Sequence, residues 1–231
     1  MDASEAESLK LALKKGVDAL HLRLDASTLD GLLNYIFEFQ RWNKTHNLSA
    51  IHSLEESIAL HLLDSLAALP YLDDYVQENF SNGQEFSIAD LGTGGGLPGM
   101  VIAICRPSWK VYLMEAVQKK TVFLEHIAMR QNLKNVVVCS GRIENTSKPL
   151  RKSVSCCISR AFSDFGKFIS LSAPMLVDSG VVWAMKAKLL DDDLKTIPKD
   201  WEIKANHLLQ IPGLDAQRRL FKLAAVRESH F

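Results

Sequence analysis

The chain has no excess of charge of either sign: 27 lysines and arginines stand against 27 aspartates and glutamates in 231 residues. That argues against a general nucleic-acid coat protein, which is basic overall, but a confined basic patch can still contact phosphate. Cysteine is scarce. Cys105, Cys139, Cys156 and Cys157 lie in apolar runs without CxxC spacing. A zinc site is not expected, a disulfide framework does not suit a chain this long, and buried free thiols in a reducing cytoplasm are the plain reading. No apolar run approaches the roughly 18 residues that cross a membrane. The opening MDASEAESLK has no basic stretch leading into an apolar one, so no signal peptide is read there. A soluble cytoplasmic protein is expected, with neither membrane nor metal. Disorder is not expected either, because 47% of residues are hydrophobic and 23% charged, enough for a sizeable core.

Apolar spacing predicts helices over about Ser4–Leu20, Ser27–Trp42 and Leu54–Leu69. Ser27 or Thr28 is the expected cap of the second. Ser53, with Glu56 three residues on, suits the start of the third, and Pro70 its end. Asp73–Glu85, with Ser81-Asn82-Gly83, reads as a linker or turn. Short apolar runs then alternate with helices. Strands are expected over Phe86–Leu91, Val111–Glu115, Val136–Ser140, Val154–Ser159 and Gly180–Lys186. Helices are expected over Pro98–Cys105, Lys119–Gln131, Phe165–Met175 and Leu189–Ile197. Two closing strands, Glu202–Gln210 and Arg218–Val226, flank Pro212-Gly213. This alternation implies a mainly parallel sheet covered on both faces, and the closing strand pair without an intervening helix suggests one antiparallel strand at the end. The expected division is a helical extension over residues 1–72 and an α/β core over 73–231, together one compact unit. No internal repeat is present.

The chemistry concentrates at Asp90-Leu-Gly92-Thr-Gly94-Gly95-Gly96-Leu97-Pro98-Gly99, where a strand ends in glycines and a helix follows. Glycine permits positive φ and lets a ligand approach the backbone. Gly94, Gly96 and Gly99 satisfy the dinucleotide spacing G-x-G-x-x-G, so a nicotinamide oxidoreductase is one reading. The other frame is Asp90-x-Gly92-x-Gly94, as in motif I of class I methyltransferases. S-adenosylmethionine carries an ammonium and a sulfonium rather than a pyrophosphate, and a carboxylate beside the loop suits it. Glu115, ending the second strand, can accept both ribose hydroxyls in either fold. Arg142-Ile143-Glu144 follows the third strand, where methyltransferases grip the adenine.

The acceptor is narrowed by absences. The chain has no Asn/Asp-Pro-Pro-aromatic stretch to orient an exocyclic amine and no Pro-Cys nucleophile for cytosine C5. Ser159-Arg160-Ala161-Phe162 stands at that position instead. Guanine N7 fits this scarcity of acid–base groups. Its lone pair is unprotonated at neutral pH, so positioning can supply most of the rate. This permits N7 without selecting it.

Trp42-Asn43-Lys44-Thr45-His46-Asn47-Leu48-Ser49-Ala50-Ile51, His61-Leu62-Leu63-Asp64-Ser65-Leu66, the glycine segment through Gly99, Ser159–Phe162, Ala184-Met-Lys186 and Arg218-Arg-Leu-Phe-Lys222 resemble, in order and spacing, the GidB/RsmG family. The resemblance spans about residues 25 to 226. It implies a class I, Rossmann-like fold with a seven-stranded sheet. It also implies methylation of N7 of one guanine, nucleotide 527 in the 530 loop of 16S rRNA, with S-adenosylmethionine as donor. The substrate would be 16S rRNA within the 30S subunit or a precursor, and the enzyme a monomer. Carried onto this chain, the resemblance places the cofactor at Asp90, Gly92, Gly94, Leu97, Glu115, Ile143, Glu144 and Arg160. RNA contacts fall to Asn47, His61, Arg142, Lys186 and Arg218, with Arg160 and Asn47 positioning the acceptor. Departures are Ala187, where the family usually has glycine, and Gly95, where alanine or proline is common. The rival readings are a methyltransferase with another acceptor and a non-catalytic RNA-binding assembly factor.

Overall fold

The computed structural model describes residues 3–226 apart from 82, 161, 163, 188–190 and 216. Five helical segments come first: α1 (Ala3–Ala19), α2 (Ala26–His46), α3 (Leu54–Ser57), α4 (Asp64–Leu66) and α5 (Leu69–Asn79), with a π segment, Ile58–Leu63, joining α3 to α4. The alternating part follows: β1 (Ser87–Leu91), α6 (Gly99–Cys105), β2 (Lys110–Glu115), α7 (Gln118–Arg130), β3 (Val136–Ser140), α8 (Ile143–Thr146), β4 (Val154–Ser159), α9 (Phe165–Ser172), β5 (Leu176–Lys186), α10 (Asp191–Lys195), β6 (Trp201–Leu209) and β7 (Arg218–Ala225). The α/β assignment holds, and the elements fall close to their expected places. The first residues of the expected helix Leu189–Ile197 lie outside the described residues, as do Asn82 and Ala161.

Among the described residues the sheet has seven strands, in the order β3-β2-β1-β4-β5-β7-β6. Strands β1 to β5 are mutually parallel, while β7 runs antiparallel to both β5 and β6. The antiparallel strand is therefore inserted between its neighbours rather than added at the edge. Side chains alternate across the sheet, as the two-residue strand period requires. Ile88, Leu113, Cys156 and Trp183 enter one core with α1, α2, α5, α6 and α7. Ala89, Met114, Cys157 and Val182 enter the other, with α9. The adjacent thiols Cys156 and Cys157 thus point to opposite faces, both fully buried, and burial pushes both thiols well up. Cys139 is only half-buried.

Three local expectations are corrected. The cap of α2 is Asp25, whose carboxylate accepts from Thr28 N at 2.7 Å. The expected single helix Leu54–Leu69 starts as read, with Ser53 Oγ accepting from Glu56 N, but it widens into the π segment. Ser57 and Ser65 flank that segment, and each donates its hydroxyl to the carbonyl four residues back, which loosens and bends helices. Pro70 does not end a helix. It lies in the first turn of α5, where its missing N–H costs nothing, and α5 runs through Asn79, inside the stretch read as a linker.

Candidate functional site

Parallel strands deliver their C-terminal residues to one edge. Gly92, Glu115, Gly141, Arg160 and Lys186 follow or end β1 to β5 there. Because β7 is antiparallel, its first residue, Arg218, arrives at the same edge, beside the Lys186–Arg219 register pair. Ligands in open α/β sheets bind at this edge. A cavity of about 480 Å³ opens there. Its wall includes Gly92–Gly95 and Leu97, together with His61, Asp64, Arg160, Lys186 and Arg218.

The glycine loop is held from below and behind. Asp90 is fully buried and Oδ2 accepts from Thr93 Oγ1 at 2.5 Å and from Gly99 N at 2.7 Å. Burial pushes its carboxyl up to about 6, against the pull of those two donors. Asp90 therefore shapes the loop from beneath and does not line the cavity. From behind, Tyr35 of α2 donates its hydroxyl to Gly95 O at 2.7 Å. The Phe39 ring packs so closely on Gly95 that a Cβ there would collide with it. The ring takes the room that alanine or proline would need, so Gly95 is fitted to Phe39.

The residues present fit S-adenosylmethionine. Gly94 has φ 61°, and a Cβ there would meet nothing nearer than Lys120 Nζ at 3.9 Å, so a ligand can approach the backbone. Glu115 accepts from Gly94 N at 2.9 Å through one oxygen and from Val117 N at 2.8 Å through the other. Each oxygen keeps lone-pair capacity for a ribose hydroxyl. Ile143 and Glu144 open α8 next to Glu115, whose carbonyl accepts from Gly141 N at 2.9 Å. Arg142 and Glu144 are exposed, and Glu144 lines a separate recess of about 300 Å³.

The expected RNA-contacting residues divide. Arg160 and Arg218 meet across the cavity at Asp64, Arg160 Nη1 donating to Oδ2 at 2.7 Å and Arg218 Nε to Oδ1 at 3.0 Å. His61 is on the cavity wall but its ring is buried. Ser49 Oγ lies 3.1 Å from Nε2, and burial with the nearby Arg160 charge lowers its pKa to about 4. It is a neutral group at physiological pH. Lys186 is tied inward: Nζ lies 2.6 Å from Asp193, both side chains under 10% exposed. Asn47 is outside the cavity. It caps α2 in the left-handed conformation, φ 50°, exposed to solvent. Asp64, Tyr35 and Phe39 were not foreseen as site residues. Asp64 carried a signal, an acid set in the apolar run Leu62-Leu63-Asp64-Ser65-Leu66.

A family model described as rRNA small subunit methyltransferase G matches residues 28–221. The chain is 42% identical over 217 residues to a protein of Polynucleobacter asymbioticus named ribosomal RNA small subunit methyltransferase G, covering 94% of this chain and 96% of that one. Proteins with the same name from an Azoarcus species and from Neisseria meningitidis are 38% and 37% identical, over 92% and 93% of this chain and 94% and 98% of theirs. Two solved structures share the fold at low identity. TrmN from Thermus thermophilus has a TM-score of 0.53 at 14% identity, over 73% of this chain and 53% of that one. A predicted O-methyltransferase from Agrobacterium tumefaciens has 0.54 at 17%, over 72% and 80%.

Proposed function

The chain belongs to the family of ribosomal RNA small subunit methyltransferase G, and on that premise we propose that it methylates N7 of a single guanine, nucleotide 527 in the 530 loop of 16S rRNA. It is a methyltransferase of small-subunit rRNA, and S-adenosylmethionine is its methyl donor. The observation that carries the finer reading is the union, in one cavity, of the open glycine loop and the Arg160–Asp64–Arg218 group.

The cofactor supplies a methyl group on a positive sulfur, activated for attack. The protein's task is placement. Gly92, Gly94 and Leu97 give the donor its bed, Glu115 holds the ribose, and the backbone at Ile143 and Glu144 borders the adenine. Arg160, on the same wall, can donate to guanine O6 or to a neighbouring phosphate and so aim N7 at the methyl. N7 offers an in-plane lone pair, so no proton has to leave before attack. Neutral His61 is consistent with a site that works by orientation rather than by general base. RNA is read in loops and unstacked bases, and one confined group of cations suits a guanine presented by the 30S subunit or its precursor. The working unit is a monomer.

The test is methyl transfer from labelled S-adenosylmethionine to 30S subunits from cells lacking the native enzyme. Reduction and aniline cleavage then map 7-methylguanosine. One new cleavage at the 530-loop guanine is expected, reduced at least 100-fold in Arg160→Ala. Folded, cofactor-binding protein without incorporation into subunits or naked rRNA would sink the assignment.

A further inference from the structure

We infer that Asp64 is a positioning residue of the acceptor site, acting through Arg160 and Arg218. The inference rests on the reading that this cavity takes a guanine nucleotide of RNA. The Asp64 side chain is 5% exposed, while those of Arg160 and Arg218 are 24% and 26% exposed. A buried carboxylate thus sits behind two guanidiniums that face the cavity. Each of its oxygens binds a different arginine, 96 and 154 residues away in sequence. Arg160 Nη1 also donates to Leu60 O at 3.3 Å, and Arg218 Nη1 to Gln217 O at 3.4 Å. Among the described residues, Arg160 Nε and Nη2 and Arg218 Nη2 have no protein acceptor. Within the described residues, those donors are the ones left for a ligand.

Two consequences follow from charge. Unaided, two neighbouring guanidiniums repel each other and would splay, whereas one carboxylate between them fixes their spacing and planes. Methyl transfer breaks the bond from sulfur to the methyl as the bond to N7 forms, so sulfur becomes neutral and the positive charge passes to the guanine ring, on the side of the two arginines. A doubly positive wall would oppose that charge as it develops, and Asp64 reduces the wall to a net charge of +1. Lys186 does not add to it, because Asp193 already pairs it. Asp64 therefore limits how strongly the site holds RNA while favouring the transition state, so binding and turnover should respond to its loss in opposite directions.

The experiment compares Asp64→Asn and Arg218→Gln with the wild type, using 30S subunits lacking the modification. It measures kcat, KM for subunits, and the dependence of subunit binding on salt. Asp64→Asn keeps the side-chain shape and removes the charge. Its kcat should fall about 10-fold or more, KM should stay level or drop, and the slope of log K against log salt should steepen by about 0.7 to 0.9. Arg218→Gln should also lower kcat, but its slope should become shallower by a similar amount. A purely structural role would not move the two slopes in opposite directions. A kcat for Asp64→Asn within twofold of wild type, or a fall in kcat with an unchanged slope, would overturn the inference. Should Asp64→Asn fail to fold, an Arg218→Gln enzyme with unaltered kcat and slope would overturn it as well. Wild-type protein that transfers no methyl to these subunits would overturn the functional reading itself, which separates the two failures.

Discussion

His61 is 5% exposed, its ring centroid 5.1 Å from that of Phe39, and its pKa lies near 4 instead of the ordinary 6.5. The depressed value makes the neutral ring a source of stability above about pH 6.5, lost as pH falls through 4, where the native state must charge it. Asp90 acts in the opposite sense. Its folded value is raised to about 6, so its contribution is present below its ordinary value and lost as pH rises through 6. The two partly cancel between pH 4 and 6. His61→Asn isolates the first: chemical denaturation from pH 7 to pH 4 should show wild type losing on the order of 2 kcal/mol more than the variant. Parallel curves would refute a buried neutral histidine. At this scale the glycine segment was legible, because consecutive glycines after an apolar strand have few other uses. Asp64 was not, because its role depends on two arginines brought to it from β4 and β7. Nor was the turn of Asp90 away from the cavity, since spacing cannot say which way a strand-end carboxylate faces.

Helix α2 links the helical extension to the cofactor loop. It packs on α6 and α7, and Tyr35 donates to the loop carbonyl of Gly95. Tyr35→Phe removes that one hydrogen bond and keeps the ring. It should cost about 1 kcal/mol of stability and weaken S-adenosylmethionine binding several-fold by calorimetry, with KM for the subunit unchanged. Unaltered cofactor affinity would mean that the loop is held without α2. The strands were readable within a residue or two in most cases, since short apolar runs bounded by turns leave little choice. The π segment was not, because serine back-bonding is a weak signal inside a strong apolar period, nor was the new helix start that Pro70 marks. α5 was missed for the opposite reason: its polar face, Asp73, Asp74, Gln77 and Glu78, masked Leu69, Leu72 and Tyr75 at helical spacing.

At the scale of the molecule, residues of α1, α2 and α5 share one apolar core with β1, β2, β4 and β5. The division at residue 72 falls inside α5. We therefore expect residues 1–72 and 73–231 to unfold together. Hydrogen exchange under mild denaturant should show amides of α2 and β1 opening with the same free energy, and an earlier opening of α2 would separate the two parts. The parallel order of the sheet followed from strand–helix alternation. The position of β7 did not, because a pair of strands joined by a turn can be added to a sheet on either side.

That position has a consequence for how the protein is made. Each paired residue of β6 has its partner in β7, and β7 is the later strand in the chain. Until residues 218–225 follow it, the stretch 201–209 has no neighbour to pair with, and the strand edge of β5 stands open. Both gaps close only when residues 218–225 appear, and the first of these is Arg218, the second guanidinium on Asp64. Completion of the sheet and completion of the acceptor site are thus one event, the arrival of β7. A chain cut short before residue 218 has an unpaired edge that chaperones and proteases can recognise, and it lacks the arginine that would let it compete for a ribosomal subunit.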